Sequence, residues 1–271
     1  MSDLVEFNLS EGVADIRFNR PDKHNSLSLE MFEAVIAAGE RVHREAGIRA
    51  AVVSGNGASF CAGLDLGLMQ SWLEDDEAAA RTQQRLLSRD AGPDNIAQRA
   101  AYVWKSAPVP VIGALHGNVF GGGMQIALGC DIRIAAPDAR LSIMETRYGL
   151  IPDMSITATL PDLVARDVAL ELTLSARVFG AEEALGLGLV TRLEAEPHAA
   201  ALALAATIAG RSPHAVRAVK ELYNQAWRAE ADKGMRLEEA LQIPLIGSPN
   251  QVEAVAAAVA KRAPRFADPA T

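Results

Sequence analysis

The sequence predicts an α/β fold built from repeated strand–strand–helix turns and followed by a helical C-terminal part. Three observations predict it. Short apolar runs of strand length alternate with helical segments through the first 196 residues. A glycine cluster, Gly117 and Gly121 to Gly123, joins one strand to one helix. From Pro197 the chain turns Ala-rich and helical, broken by Pro213, Pro244 and Pro249. That shift in composition divides a core, residues 1–196, from a C-terminal region, residues 197–271, rich enough in small apolar residues to pack on another subunit.

The elements follow in order. Leu4, Phe7 and Leu9 lead into a turn at Glu11-Gly12, and Val13, Ile16 and Phe18 lead out, which reads as a β-hairpin. Asn19 to Lys23 is a loop. Ser28 caps a helix whose apolar face is Met31, Val35, Ile36 and Val42. Ala50 to Val53 is a short buried strand ended by Gly55-Asn56-Gly57. Residues 67–98 are polar, acidic at Glu74 to Glu77 and broken by Gly92-Pro93, which reads as helical pieces on a mobile surface segment. A helix ends near Lys105. Pro108 and Pro110 bracket a turn into the strand Val111 to Leu115. The glycine cluster opens an apolar helix from Met124 to Leu128, followed by the strands Ile132 to Ala135 and Leu141 to Ile143.

Hydrophobic residues at 49% and charged residues at 22% describe an ordinary globular chain, and 271 residues suffice for one large core. The net charge of -8 argues against non-specific binding to nucleic acid or membrane, so neither partner is expected. Two cysteines, Cys61 and Cys130, make no disulfide framework and lack metal-site spacing. They are expected as small core residues, with no metal bound. A cytoplasmic location is the simplest expectation, since the N-terminus shows no basic-then-apolar pattern.

Glycines between a strand and a helix let a ligand approach the backbone, and a helix N-terminus presents free N–H groups. Taken singly, such glycines also suit plain tight turns. Their context is more specific. Ser59-Phe60-Cys61-Ala62-Gly63-Leu64-Asp65-Leu66, Pro108-Val109-Pro110-Val111-Ile112, His116-Gly117-Asn118-Val119-Phe120-Gly121-Gly122-Gly123 and Cys130-Asp131-Ile132-Arg133 occur in this order. Together they closely resemble the enoyl-CoA hydratase/isomerase, or crotonase, family. Asn19-Arg20-Pro21 with Asn25-Ser26-Leu27, Gly180-Ala181-Glu182-Glu183-Ala184 with Gly188-Leu189-Val190, and Lys261 to Phe266 extend the resemblance over nearly the whole chain.

The resemblance implies a crotonase-like spiral of ββα turns, with a C-terminal helical region that forms a homotrimer or a dimer of trimers. It implies acyl-CoA thioester substrates of fatty acid metabolism, with coenzyme A part of the substrate and no further cofactor. It assigns the oxyanion hole to the N–H groups of Leu64 and Gly122, fixed donors that stabilise a thioester enolate without reorganising. Ala62, Asp65, Leu66, Gln125 and Lys261 are the substrate-binding candidates it implies, Lys261 reaching CoA from the C-terminal helix.

Two departures bear on the reaction. The hydratases carry two glutamates twenty positions apart. Glu145 stands at the second place and Gln125 at the first. A glutamine can orient water but exchanges no proton at neutral pH. Eight residues after Glu145, where related hydratases have glycine, this chain has Asp153. Dienoyl-CoA isomerases of the family place a catalytic Asp there, although their other Asp falls at Gln125. Dehalogenases of the family also use an Asp at this place, with an aromatic residue where Glu145 stands. The resulting expectation is a double-bond shift in an enoyl- or dienoyl-CoA. Glu145 removes a proton, Leu64 and Gly122 hold the enolate, and Glu145 or Asp153 returns the proton elsewhere. Hydration of a 2-enoyl-CoA with Gln125 orienting water is the alternative, and a non-catalytic acyl-CoA-binding member is another.

Plainer readings stand beside these. Asp153 after Pro152 suits a helix N-cap. Gln125 suits a structural amide, and Glu145 an ion pair with Arg133 or Arg147. Asp65 suits a turn after Gly63, and His116 a packed loop. Arg20, Lys23 and His24 either face CoA phosphates or are solvated. Trp72 and Trp104 either line the acyl pocket or fill core.

Overall fold

The computed structural model describes residues 3–89 and 92–269. Residues 90 and 91 of the polar 67–98 segment therefore lie outside the described residues. The chain is a mixed α/β fold, with nine strands in two sheets among the described residues. The strands are β1 Val5–Ser10, β2 Val13–Phe18, β3 Ala50–Gly55, β4 Val111–Leu115, β5 Asn118–Phe120, β6 Ile132–Ala135, β7 Arg140–Ser142, β8 Phe179–Gly180 and β9 Arg192–Leu193. Six form one sheet in the order β1-β2-β3-β4-β6-β9, and β5-β7-β8 form a second. Among the described residues, only β1 is antiparallel to its neighbour in the larger sheet. The β1–β2 hairpin turns through Glu11 and Gly12, whose φ angles of 49° and 80° need the left-handed region that glycine adopts at no steric cost.

The central strands are apolar without a break because both of their faces are covered. Alternate residues sort to the two faces. Ala51, Val53, Val111 and Leu115 share a core cluster with Met31 and Val35 of the helix Leu29–Arg44 and Trp104 of the helix Ile96–Lys105. The expected cap is in place, with Ser28 accepting from Met31 N at 3.3 Å. On the opposite face Ala50, Val52, Ile112, Ala114 and Ile134 pack against Ala201, Ala205 and Ala209. Those alanines belong to the helix Pro197–Ala209, and their small side chains let it lie close on the sheet. The compositional shift at residue 197 thus falls at the start of a helix that packs on the sheet. This helix forms the second layer of the core, and the more loosely covered part begins after it.

Beyond it run the helices Pro213–Ala226, Ala231–Gln242 and Pro249–Val259. Lys220 anchors the first to the core by donating to Trp104 O, Val109 O and Asp131 Oδ2. Tyr223, Trp227, Ile243, Ile246 and Val259 are exposed along this region. The 67–98 segment contains two helices, Leu66–Glu74 and Asp76–Leu86. No helix among the described residues is long and apolar enough to cross a membrane.

Candidate active site

Three loop segments meet at the C-terminal edge of the central strands and are sewn together by main-chain hydrogen bonds. Leu27 N donates to Gly63 O at 2.8 Å, and Asp65 N donates back to Leu27 O at 3.1 Å. Cys61 N donates to Asn118 O at 3.1 Å, and Phe120 N donates back to Cys61 O at 3.0 Å. Gly121 N reaches Ser142 O at 3.0 Å. Between these bonds the N–H groups of Leu64 and Gly122 are left without an acceptor among the described residues. Gly122 opens the helix Gly122–Gly129, so its N–H is one of the orphan donors at the positive end of the helix dipole. Glycine is required at position 63, where φ is +87° and a β-carbon would stand 2.8 Å from Phe120 O.

Both donors line a cavity of about 1200 Å³ whose wall also carries Glu145, Asp153 and Gln125. Glu145 begins a 3₁₀ turn, Glu145–Tyr148. Its Oε1 accepts from Gln125 Nε2 at 2.6 Å, while its Oε2 is buried with no hydrogen-bond partner among the described residues. Burial pushes the Glu145 carboxyl above the usual carboxylate range, the charge of Asp153 adds to that, and the bond from Gln125 opposes it. The Asp153 carboxyl is raised as well, again by burial. Asp153 is exposed by surface area and lines the cavity, while surrounding protein partly desolvates its carboxyl. The short helix that follows, Ile156–Thr159, starts after Ser155, so Asp153 does not cap it. Nor does Glu145 pair with a cation among the described residues: Arg133 donates to Leu189 O and Cys130 O instead.

Gln125 is buried, and its Oε1 accepts from Met154 N at 2.8 Å. Its carbonyl and one N–H are thus committed to the protein, which favours the structural-amide reading over a simple substrate contact. Of the substrate-binding candidates, Ala62, Asp65 and Leu66 lie on the cavity wall. The carboxylate of Asp65, however, is fully engaged. Oδ1 caps the helix Leu66–Glu74 through Gly67 N and Leu68 N, and Oδ2 holds Ser26 and Arg20. Lys261 is exposed after the helix Pro249–Val259 and lies off the cavity wall of this single chain.

Lys23, His24 and Trp72 are wall residues, whereas Trp104 is core and donates to Ala100 O. His116 is held by Gly57 O, as a loop histidine. Both cysteines are buried, and burial pushes their thiols up to about 12, which leaves them inert. Sequence reasoning missed Met154, whose main-chain N–H positions Gln125. A backbone donor carries no residue signal, so nothing in the sequence points to it. It also missed Arg140, Tyr148 and Ile151 on the wall.

Comparison with known proteins places the chain in a family. The enoyl-CoA hydratase/isomerase family profile matches residues 8–269. A peroxisomal Delta(3,5)-Delta(2,4)-dienoyl-CoA isomerase of Arabidopsis thaliana is 30% identical over 268 residues, 98% of this chain and 96% of that protein. The mitochondrial methylglutaconyl-CoA hydratase of Rattus norvegicus is 30% identical over 95% of this chain and 80% of its own. An enoyl-CoA hydratase from Bacillus anthracis superposes with a TM-score of 0.85 at 29% identity, over 97% of this chain and 98% of that one. The chain belongs to the enoyl-CoA hydratase/isomerase family.

Proposed function

We propose that this enzyme moves a double bond in an enoyl- or dienoyl-CoA thioester by proton transfer. The thioester oxygen sits between the N–H groups of Leu64 and Gly122. The Glu145 carboxylate removes an acidic C–H proton, and the negative charge that develops on the thioester oxygen is held by the two fixed donors. Glu145 or Asp153 returns the proton at another carbon, giving a shifted double bond with no change in composition. The observation that carries this reading is the placement of two carboxyls, Glu145 and Asp153, on the cavity wall that also holds two unengaged N–H donors, with burial raising both carboxyls. A raised pKa brings a carboxyl toward the working pH of a general acid–base group.

Gln125 supports isomerisation over hydration. Where the hydratases have their first glutamate it offers an amide, which moves no proton at neutral pH. The exposed apolar residues of the C-terminal helices support a homotrimer or a dimer of trimers, and two free buried cysteines support a reducing, cytoplasmic setting.

The test is turnover of a 2-enoyl-CoA, a 3-enoyl-CoA and a 3,5-dienoyl-CoA by the purified protein. Consumption of the 3-enoyl or 3,5-dienoyl substrate with little hydration of the 2-enoyl one supports the reading. Rapid hydration of the 2-enoyl-CoA replaces it with the hydratase alternative. Tight thioester binding with no turnover replaces it with the non-catalytic one.

A further inference from the structure

The side chain of Gln125 makes two hydrogen bonds of opposite sense. Its Oε1 accepts from Met154 N at 2.8 Å, and its Nε2 donates to Glu145 Oε1 at 2.6 Å. A main-chain N–H can only donate, so the amide oxygen must face Met154. That fixes the orientation of the whole amide and turns its NH₂ toward Glu145. Glu145 Oε1 must then accept, because a proton on it would meet an N–H. The remaining oxygen, Oε2, has no protein partner among the described residues and is buried. An unsatisfied buried oxygen calls for an explanation, and a proton-carrying role supplies one. The same amide holds the main chain immediately after Asp153, so one side chain ties together the segments that present both carboxyls.

Building on the isomerase reading, we propose that Gln125 is a positioning residue that confines the transferred proton to Glu145 Oε2 and keeps Asp153 in register with it. Substituting a carboxyl separates this role from a plain structural one. To reproduce the two bonds, the new side chain in Gln125→Glu must be protonated: its O–H donates to Glu145 Oε1 and its carbonyl accepts from Met154 N. Loss of that proton sets two carboxylates face to face, and the pair then titrates as a unit. Gln125→Met fills similar volume with neither donor nor acceptor.

The experiment measures kcat and KM against pH for the full-length wild type, Gln125→Met and Gln125→Glu. The Glu145 carboxyl is followed in parallel by ¹³C NMR of glutamate-labelled protein, its resonance assigned by its loss in Glu145→Gln. In Gln125→Met the Glu145 midpoint and the acidic limb of kcat are expected to rise by about one pH unit, the worth of one hydrogen bond to a charged group. kcat falls by about tenfold or more while KM changes little, since the carboxyls are disturbed and the N–H donors of Leu64 and Gly122 are not. In Gln125→Glu an alkaline limb appears where the shared proton is lost, and activity recovers toward acid pH. Equal Glu145 midpoints in the wild type and Gln125→Met, with lowered thermal stability alone, overturn the proposal. If Gln125→Met does not fold, Gln125→Glu carries the test, and absence of its alkaline limb and of any change in the Glu145 midpoint overturns it. The NMR titration needs no turnover. A wild type that moves no double bond therefore refutes the isomerase reading, while the midpoints still decide the role of Gln125.

Discussion

Replacing Glu145 by glutamine removes one proton acceptor and little else. The side chains have the same shape, and Gln125 Nε2 can still donate to the oxygen that takes the place of Oε1. What disappears is Oε2, the one carboxylate oxygen at this place without a protein partner among the described residues. A positioned general base contributes roughly 10²–10⁴-fold, so kcat is expected to fall about 10³-fold, or about 4 kcal/mol of transition-state stabilisation. Thioester binding, measured by titration calorimetry, is expected to stay within about threefold, because the N–H donors of Leu64 and Gly122 are untouched. Stability moves the opposite way. Burial raises the Glu145 pKa above its ordinary 4.5, so the folded protein holds the proton more tightly than the unfolded chain. Ionisation above that ordinary value therefore favours unfolding, and native stability is lost as pH climbs between the two pKa values. Glu145→Gln abolishes that loss, gaining about 1.4 kcal/mol at neutral pH for each unit by which the pKa is raised. Thermal denaturation at pH 5 and pH 7.5 measures it. Retention of more than about a tenth of wild-type kcat, with folded protein, would show that Glu145 is not the base.

Further predictions follow from neighbouring residues. Asp153→Asn removes a charge that raises the Glu145 pKa, so the acidic limb of kcat should move to lower pH, while the maximal rate falls if Asp153 returns the proton. Gly63→Ala forces a β-carbon 2.8 Å from Phe120 O at a φ of +87° and displaces the Leu64 N–H; kcat should drop by about 10²–10³-fold with KM less affected, read by steady-state kinetics. Lys220→Met leaves Asp131 Oδ2 with the Val111 N–H alone, where burial already pushes the Asp131 carboxyl up. Breaking such a pair costs about 3–5 kcal/mol. The Asp131 side chain is 25% exposed, so the low end, about 3 kcal/mol, is expected from urea denaturation.

Much of this site was legible in the sequence because it is main-chain chemistry. Gly63 and the glycines from 121 to 123 are dictated by backbone approach, and such positions show as residue identities. The strands β3 and β4 were legible for a related reason: burial on both faces leaves unbroken apolar runs. What the sequence could not give is which surface a residue meets. The helix Pro197–Ala209 reads as an Ala-rich segment that could pack on anything, and only the fold places it on the sheet. Trp72 and Trp104 are alike in sequence, yet one lines the cavity and the other fills the core. Asp65 sits inside the family motif but is engaged as a helix cap and an Arg20 partner. The role of Gln125 depends on a bond to Met154 N, twenty-nine residues away, which no side-chain pattern encodes.

The most direct measurement is the mass and absorbance of the product formed from a 3,5-dienoyl-CoA by the purified protein. The account predicts a product of the same mass as the substrate, with the absorbance of a double bond newly conjugated to the thioester, formed about 10³-fold more slowly by Glu145→Gln. A product heavier by one water, or an equal rate from Glu145→Gln, would contradict it.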